Sequence, residues 1–203
     1  MENFTYHSLV WLTYRLGAAF AFGLPLILFI WSSMKKEIAL IRLLSIYWKI
    51  SSLMAISIML LTGDKSIGYI TSFIAPLVMV ISVWFWVDIN EEITDLPSTK
   101  PLILTIKIWR WSLSAFCLLA ISVTYFSLPC FNTTQRIECN FWLEAPKTLH
   151  QITEKIFSFL FGANWSEPLV GFIGYIALLL YIVGILQWTL VQMPKQGRVA
   201  GGF

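Results

Sequence analysis

The sequence predicts an all-α, polytopic transmembrane helical bundle of about five spans, with a short interfacial helix in an outer loop. Three observations carry this. First, 58% of the 203 residues are hydrophobic and 12% charged, against roughly 25% charged in soluble domains. Second, the apolar residues gather into five runs, each long enough to cross a hydrocarbon core of ~30 Å at ~1.5 Å per residue. Third, Lys and Arg stand singly near the ends of these runs instead of forming a basic stripe. That distribution, with a net charge of only +3, gives no footprint for nucleic acid. The chain reads as one membrane domain, residues 1–203, with no convincing internal repeat of the kind that marks inverted-repeat transporters.

The first span is expected over residues 12–32, ending before Lys35 and Lys36. The preceding "MENFTYHSLVW" has no positive charge and no small-residue cleavage site follows, so this run reads as a retained helix and not a cleaved signal. The second span covers about 38–61 and stops at "TGDKS"; the third covers 67–87. The fourth, about 102–128, starts after "LPSTKP", where Pro97 and Pro101 interrupt the helix. The fifth, 169–191, is closed by Pro194 and Gly197. Between the last two lies an outer loop, 129–168, in which "APKTLHQITEKIFSFLFG" places Leu149, Ile152, Ile156 and Leu160 near helical spacing. This suits a helix lying in the membrane interface; a cap over the bundle fits equally well.

Five spans put the termini on opposite sides. Lys35, Lys36, Arg42, Lys100, Lys107, Arg110, and the tail residues Lys195 and Arg198 share one side. The positive-inside rule makes that side cytoplasmic, with the N-terminus outside and residues 192–203 a cytoplasmic tail. Trp11, Tyr14, Trp31, Trp84, Trp86, Trp109, Trp111 and Trp188 cluster at run ends, as interfacial anchors do.

The stretch "WFWVDINEEITDLP", Trp84 to Pro97, is the richest in chemistry. If the third helix continues past Trp86, Asp88, Glu91, Glu92 and Asp95 fall at i, i+3, i+4 and i+7, on one face. Like charges so placed repel and need partners. Arg42 and Arg110 lie at matching depth; Lys107 sits one turn from Arg110, and Lys49 lies deeper than Arg42 on the same face. Charges in or near the bilayer core are costly and point to a functional site by default, while a helix-end network of Arg–carboxylate pairs would hold spans two to four together. A metal is not expected: adjacent glutamates diverge by ~100° on a helix, and an oxygen-ligand loop such as Asp-x-Asp-x-Asp is absent. With only His7 and His150, both read as ordinary surface residues, His-rich di-iron and bis-His haem sites are disfavoured. Gly-x-Ser-x-Gly, P-loop and dinucleotide fingerprints are missing, so no catalytic residue is assigned and an enzyme is the least favoured reading. Ser51 and Ser52 are expected to bond helix carbonyls. Cys117 reads as a small apolar filler; Cys130 and Cys139, flanking "FNTTQRIE", form a disulfide if the loop is in an oxidising compartment.

Several segments together, "SLVWLTYRL", "IRLLSIYWKISSLMAI", "WFWVDINEEITDLP", "WRW", "CNFWLEAP" and "PKQGR", carry a resemblance that runs nearly end to end. The chain resembles the domain-of-unknown-function 3177 family of uncharacterised cyanobacterial membrane proteins. The resemblance implies a bacterial thylakoid or plasma membrane location and no reaction. The functional expectation is therefore a non-catalytic subunit or assembly factor of a larger membrane complex, photosynthetic or respiratory; the alternative is a small transporter or ion-coupled permease working through the charged network. Partners expected are the lipid bilayer and such a complex. No cofactor is specified, and a bound lipid or pigment stays open.

Overall fold

The computed structural model describes residues 2–97, 100–132, 137–162 and 165–192. Helix α1 (Glu2–Leu16) runs through a π-helical stretch, Gly17–Gly23, into α2 (Leu24–Lys35). Then follow α3 (Ile38–Thr62), α4 (Ile67–Trp84), α5 (Val87–Asp95), α6 (Pro101–Tyr125), a 3-10 turn at Leu128–Phe131, α7 (Ile137–Phe161) and α8 (Glu167–Gln187), which ends in a π-helical turn, Trp188–Gln192. No strand occurs among the described residues. Five segments are long and apolar enough to cross a membrane: Tyr6–Lys35, Ile38–Thr62, Ile67–Trp84, Pro101–Tyr125 and Glu167–Val191.

Two expectations need correcting. The third span is not one helix to residue 87: α4 stops at Trp84 and α5 begins after an extended Trp86 (φ −83°, ψ 110°). The α-helix that the described residues of the outer loop form is not short: α7 has 25 residues and runs through Pro146. Its first half caps the bundle, with Trp142, Ala145 and His150 buried, while Ile152, Ile156, Phe159 and Leu160 on its second half are exposed.

α3 is the hub, packing on α2, α4, α5, α7 and α8. The main core joins Leu43, Leu44 and Tyr47 of α3 to Met79, Val83, Ile106, Trp109 and Leu113. Lipid is as apolar as these side chains, so packing fit and interhelical hydrogen bonds hold such a bundle more than apolar burial does. Prolines show how those bonds arise. Pro25 has no N–H for the Ala21 carbonyl four residues back, and that oxygen accepts from the Tyr47 hydroxyl at 2.8 Å. Pro146 leaves the Trp142 carbonyl in the same position, and Tyr14 donates to it at 3.0 Å. In the π-helical stretch the Phe20 carbonyl accepts from Trp109 Nε1 at 3.0 Å, and the Trp109 and Tyr47 rings meet edge-on at 5.1 Å.

Close backbone approach fixes α8. Gly63, just after α3, faces Gly171 so tightly that a Cβ on Gly63 would lie 2.4 Å from the Gly171 Cα. Small residues at a membrane helix crossing permit this approach. Farther along, Tyr181 donates to the Ile50 carbonyl at 3.3 Å, and beyond it the two helices part.

Ion pairs tie both ends of the bundle. At one end Lys147 of α7 reaches Asp64 (2.8 Å) and Glu167 (3.6 Å), and a hydrogen bond joins His7 Nε2 to Glu144 at 2.7 Å. Although partial burial pulls the Lys147 pKa down, Asp64 and Glu167 outweigh it and hold the pKa above the ordinary lysine value. At the other end Lys100 pairs with Glu37 at 2.9 Å, and the acidic helix α5 closes the bundle.

Candidate functional site

A helix that stops inside a membrane protein leaves carbonyls without partners. At the break between α4 and α5 those of Val83 and Trp84 are each answered by a side chain. Arg110, buried to 5% exposure in α6, donates to the Val83 carbonyl at 2.9 Å. Asn90 of α5 donates through Nδ2 to the Trp84 carbonyl at 2.9 Å, and its Oδ1 accepts a second bond from Arg110. The guanidinium also lies over the Trp84 indole, 4.2 Å from the ring centroid. A cation in that position suits both the ring face and the negative end of the α4 dipole. Trp84 Nε1 donates to Ser114 Oγ at 2.8 Å, and Ser114 donates onward to the Arg110 carbonyl at 2.8 Å. The corner is thus one connected polar knot joining three helices.

This corrects the expected partner of Arg110. No ion pair joins it to a carboxylate among the described residues; the neutral Asn90 takes that place. A buried guanidinium needs acceptors, not necessarily a counter-charge, and the broken helix supplies them. Asn90 was the residue sequence reasoning missed. Its signal was faint: an amide two residues after a charged position, at the end of an apolar run.

Arg42 takes two of the acids. Its Nη2 reaches Glu92 Oε2 at 2.7 Å and its Nη1 reaches Asp88 Oδ2 at 3.9 Å. Asp88 and Glu92 are one turn apart and share this guanidinium, while Glu91 and Asp95, on the same face, are exposed. Ile89 and Ile93 are fully buried beneath them, so α5 is an amphipathic lid seated on α3. Asp88 also lies in the first turn of α5, where the helix dipole favours a carboxylate.

Lys107 is half-buried on α6. Lys49 lines a separate gap of about 500 Å³ between α3 and α8, with Trp86, Tyr181, Gly184 and Trp188. Lys195 and Arg198 lie outside the described residues. Among the described residues no group of three or more His, Cys, Asp or Glu is placed to hold a metal ion.

Cys130 and Cys139 are joined by a disulfide, Cα atoms 5.7 Å apart, which ties the turn after α6 to the start of α7. The Cys139 carbonyl accepts from Tyr69 at 3.2 Å. Cys117 is wholly buried in the main core. Ser51 and Ser52 donate to the Trp48 and Lys49 carbonyls at 3.4 and 2.7 Å. His150 is not a surface residue: it is 5% exposed and faces a groove between α7, α3 and α8 with Thr62 and Phe157. The interfacial-anchor reading also fails for Trp86 and Trp109, which are 2% exposed and belong to the core, whereas Trp111 is 70% exposed.

Searches of curated proteins and of solved structures each returned no match. A family model described as "Protein of unknown function (DUF3177)" matches residues 7–201. That span covers nearly the whole chain, every helix of the bundle and the knotted corner between α4 and α5 included: the chain belongs to the DUF3177 family.

Proposed function

We propose that this chain is a non-catalytic subunit or assembly factor of a larger membrane complex. The observation that carries the reading is the use made of the intramembrane charges. Arg110 is engaged in closing a helix break, and Arg42 in seating α5. Inside the bundle, the cavity beside Thr13, Tyr14, Ser57 and Ser72 holds only about 30 Å³, room for about one water. Meanwhile α8 packs chiefly on α3 and leaves Phe172, Leu179, Val183, Leu186 and Leu190 exposed along its length. That face meets lipid or another apolar helix.

Resemblance to cyanobacterial proteins supports a thylakoid or plasma membrane setting. Two features support an N-terminus outside and a C-terminus in the cytoplasm. One is the Lys35–Lys36 turn with Lys100 and Arg42 at the α5 end. The other is the Cys130–Cys139 disulfide at the opposite end, which belongs in an oxidising compartment.

The test is a mild-detergent pull-down of the tagged protein from its native membrane, with mass spectrometry and an absorption spectrum of the eluate. Stoichiometric large partners support the reading. A lone protein that conducts protons or a solute in liposomes overturns it.

A further inference from the structure

We infer that the groove between α1 and α7 holds one phospholipid, its phosphodiester bound by Arg15, in the leaflet opposite the Lys35–Lys36 turn. Arg15 is exposed on the flank of the first span. No carboxylate pairs with it among the described residues, and the contact its guanidinium makes is with the Trp11 ring, 5.8 Å from the centroid. An indole face orients a guanidinium but does not neutralise it. Arginine keeps its charge at any ordinary pH, and its planar fork matches a phosphate with two parallel hydrogen bonds.

Depth is the second observation. Measured back from Lys35 along the span Tyr6–Lys35, Arg15 lies roughly 30 Å away at ~1.5 Å per residue. That equals a typical hydrocarbon core of ~30 Å, so Arg15 stands at its far edge, where phosphates lie. Its neighbour Tyr14 points the other way and donates to the Trp142 carbonyl of the capping helix at 3.0 Å, which puts Arg15 level with that cap.

The surroundings fit an amphiphile. His7, Ser8, Trp11, Leu12 and Arg15 of α1 and Glu144 of α7 line a groove of about 550 Å³, within the usual size range of small-molecule sites. Glu144 accepts from His7 at 2.7 Å, and a carboxylate has lone pairs for further donors, so headgroup hydroxyls above the phosphate find an acceptor. One turn toward the membrane centre from Arg15, Ala18 and Ala19 are exposed, and their small side chains leave a shallow track. It continues onto the exposed Leu26, Ile27 and Ile30, a surface for acyl chains. A lipid without phosphate leaves the guanidinium unanswered, and a free anion leaves this apolar track empty.

Full-length protein, delipidated in mild detergent, would be titrated with phosphatidylglycerol and separately with monogalactosyl diacylglycerol of the same acyl chains, counting bound lipid by native mass spectrometry. Both headgroups carry hydroxyls and one carries a phosphate. Wild type should hold one phosphatidylglycerol about tenfold more tightly than the galactolipid, the worth of one charge-assisted contact. Arg15→Gln should abolish that preference. Leu12→Glu, at a position 46% exposed and three residues before Arg15, should abolish it too, because it gives the guanidinium a carboxylate of its own. Lys36→Gln, which removes one positive charge at an exposed site in the opposite turn, should leave the preference intact. Equal affinity for the two lipids, retention of the preference by Arg15→Gln or by Leu12→Glu, an equal loss in Lys36→Gln, or displacement of the lipid by inorganic phosphate would each overturn the proposal.

Discussion

Replacing Asn90 by Leu tests the polar knot at its least obvious member. The substitution removes two hydrogen bonds at once, the one Asn90 accepts from Arg110 and the one it donates to the Trp84 carbonyl. Neutral side-chain bonds inside membrane proteins average about 0.6 kcal/mol and rarely exceed ~1.7. A charge-assisted bond is about twice a neutral one. The Arg110 bond therefore contributes about 1–2 kcal/mol and the Trp84 bond about 0.6, so Asn90→Leu should cost about 2 kcal/mol. Arg110→Met should also destabilise, since it strands the Val83 carbonyl and the Asn90 amide oxygen. The double variant removes both the charge and its acceptor, so it should cost less than the sum of the singles. The expected coupling is about 1–2 kcal/mol, read from a double-mutant cycle on SDS unfolding in mixed micelles. A coupling below about 0.5 kcal/mol, the usual error of additivity, would refute the account of Asn90 as the acceptor that makes a buried arginine tolerable.

Four further outcomes are expected. Gly171→Leu should displace α8 by overpacking against Gly63, a cost of roughly 1–3 kcal/mol, seen as lost cross-linking between cysteines placed in α3 and α8. Reducing Cys130–Cys139, or changing both to Ser, should lower stability by about 2–3 kcal/mol on the chain-entropy account of a short loop; unchanged melting in reductant would contradict it. Arg42→Leu leaves Asp88 and Glu92 without their shared partner and should lower the melting temperature, whereas Glu91→Gln, at an exposed acid that Arg42 does not take, should not. Lys147 is held above the ordinary lysine pKa, so its ion pairs should contribute fully below about pH 10 and fade as pH climbs through the folded value. The melting difference between wild type and Lys147→Met should accordingly persist at pH 8 and shrink at pH 11.

The apolar spans were legible because length and hydropathy are what a bilayer demands, and the turns at Lys36 and Gly63 carried charge and glycine as markers. The break at Phe85–Trp86 carried neither. "VWFWVD" is apolar until Asp88, with no Gly or Pro, and what ends α4 is supplied from α6, 27 residues downstream of Val83. Arg42 against Asp88 and Glu92 is the part of the charged site that spacing and opposite charge brought together. The Arg110–Asn90 contact cannot be read this way, because Asn90 carries no charge to mark it as a partner. The length of α7 was hidden by Pro146, which ends most helices; here Tyr14 on α1 answers the Trp142 carbonyl, a contact with a residue 128 positions earlier. Trp86 and Trp109 look like interfacial anchors in sequence, and only the three-dimensional packing makes them core.

The early end of α4 also bears on bilayer thickness. Its 18 residues reach about 27 Å at ~1.5 Å per residue, less than a typical ~30 Å hydrocarbon core, while the 25 residues of α3 and of α6 reach about 37 Å and must tilt to fit. One span is thus short for the membrane and two are long. Mismatch costs fractions of a kcal/mol per Å, enough to make the leaflet dip beside α5 and to bias the protein toward thinner membrane. In a series of bilayers of graded acyl length, stability should peak at chains shorter than those that match α3; a peak at the α3 length would show that the corner does not set the depth at which the bundle sits.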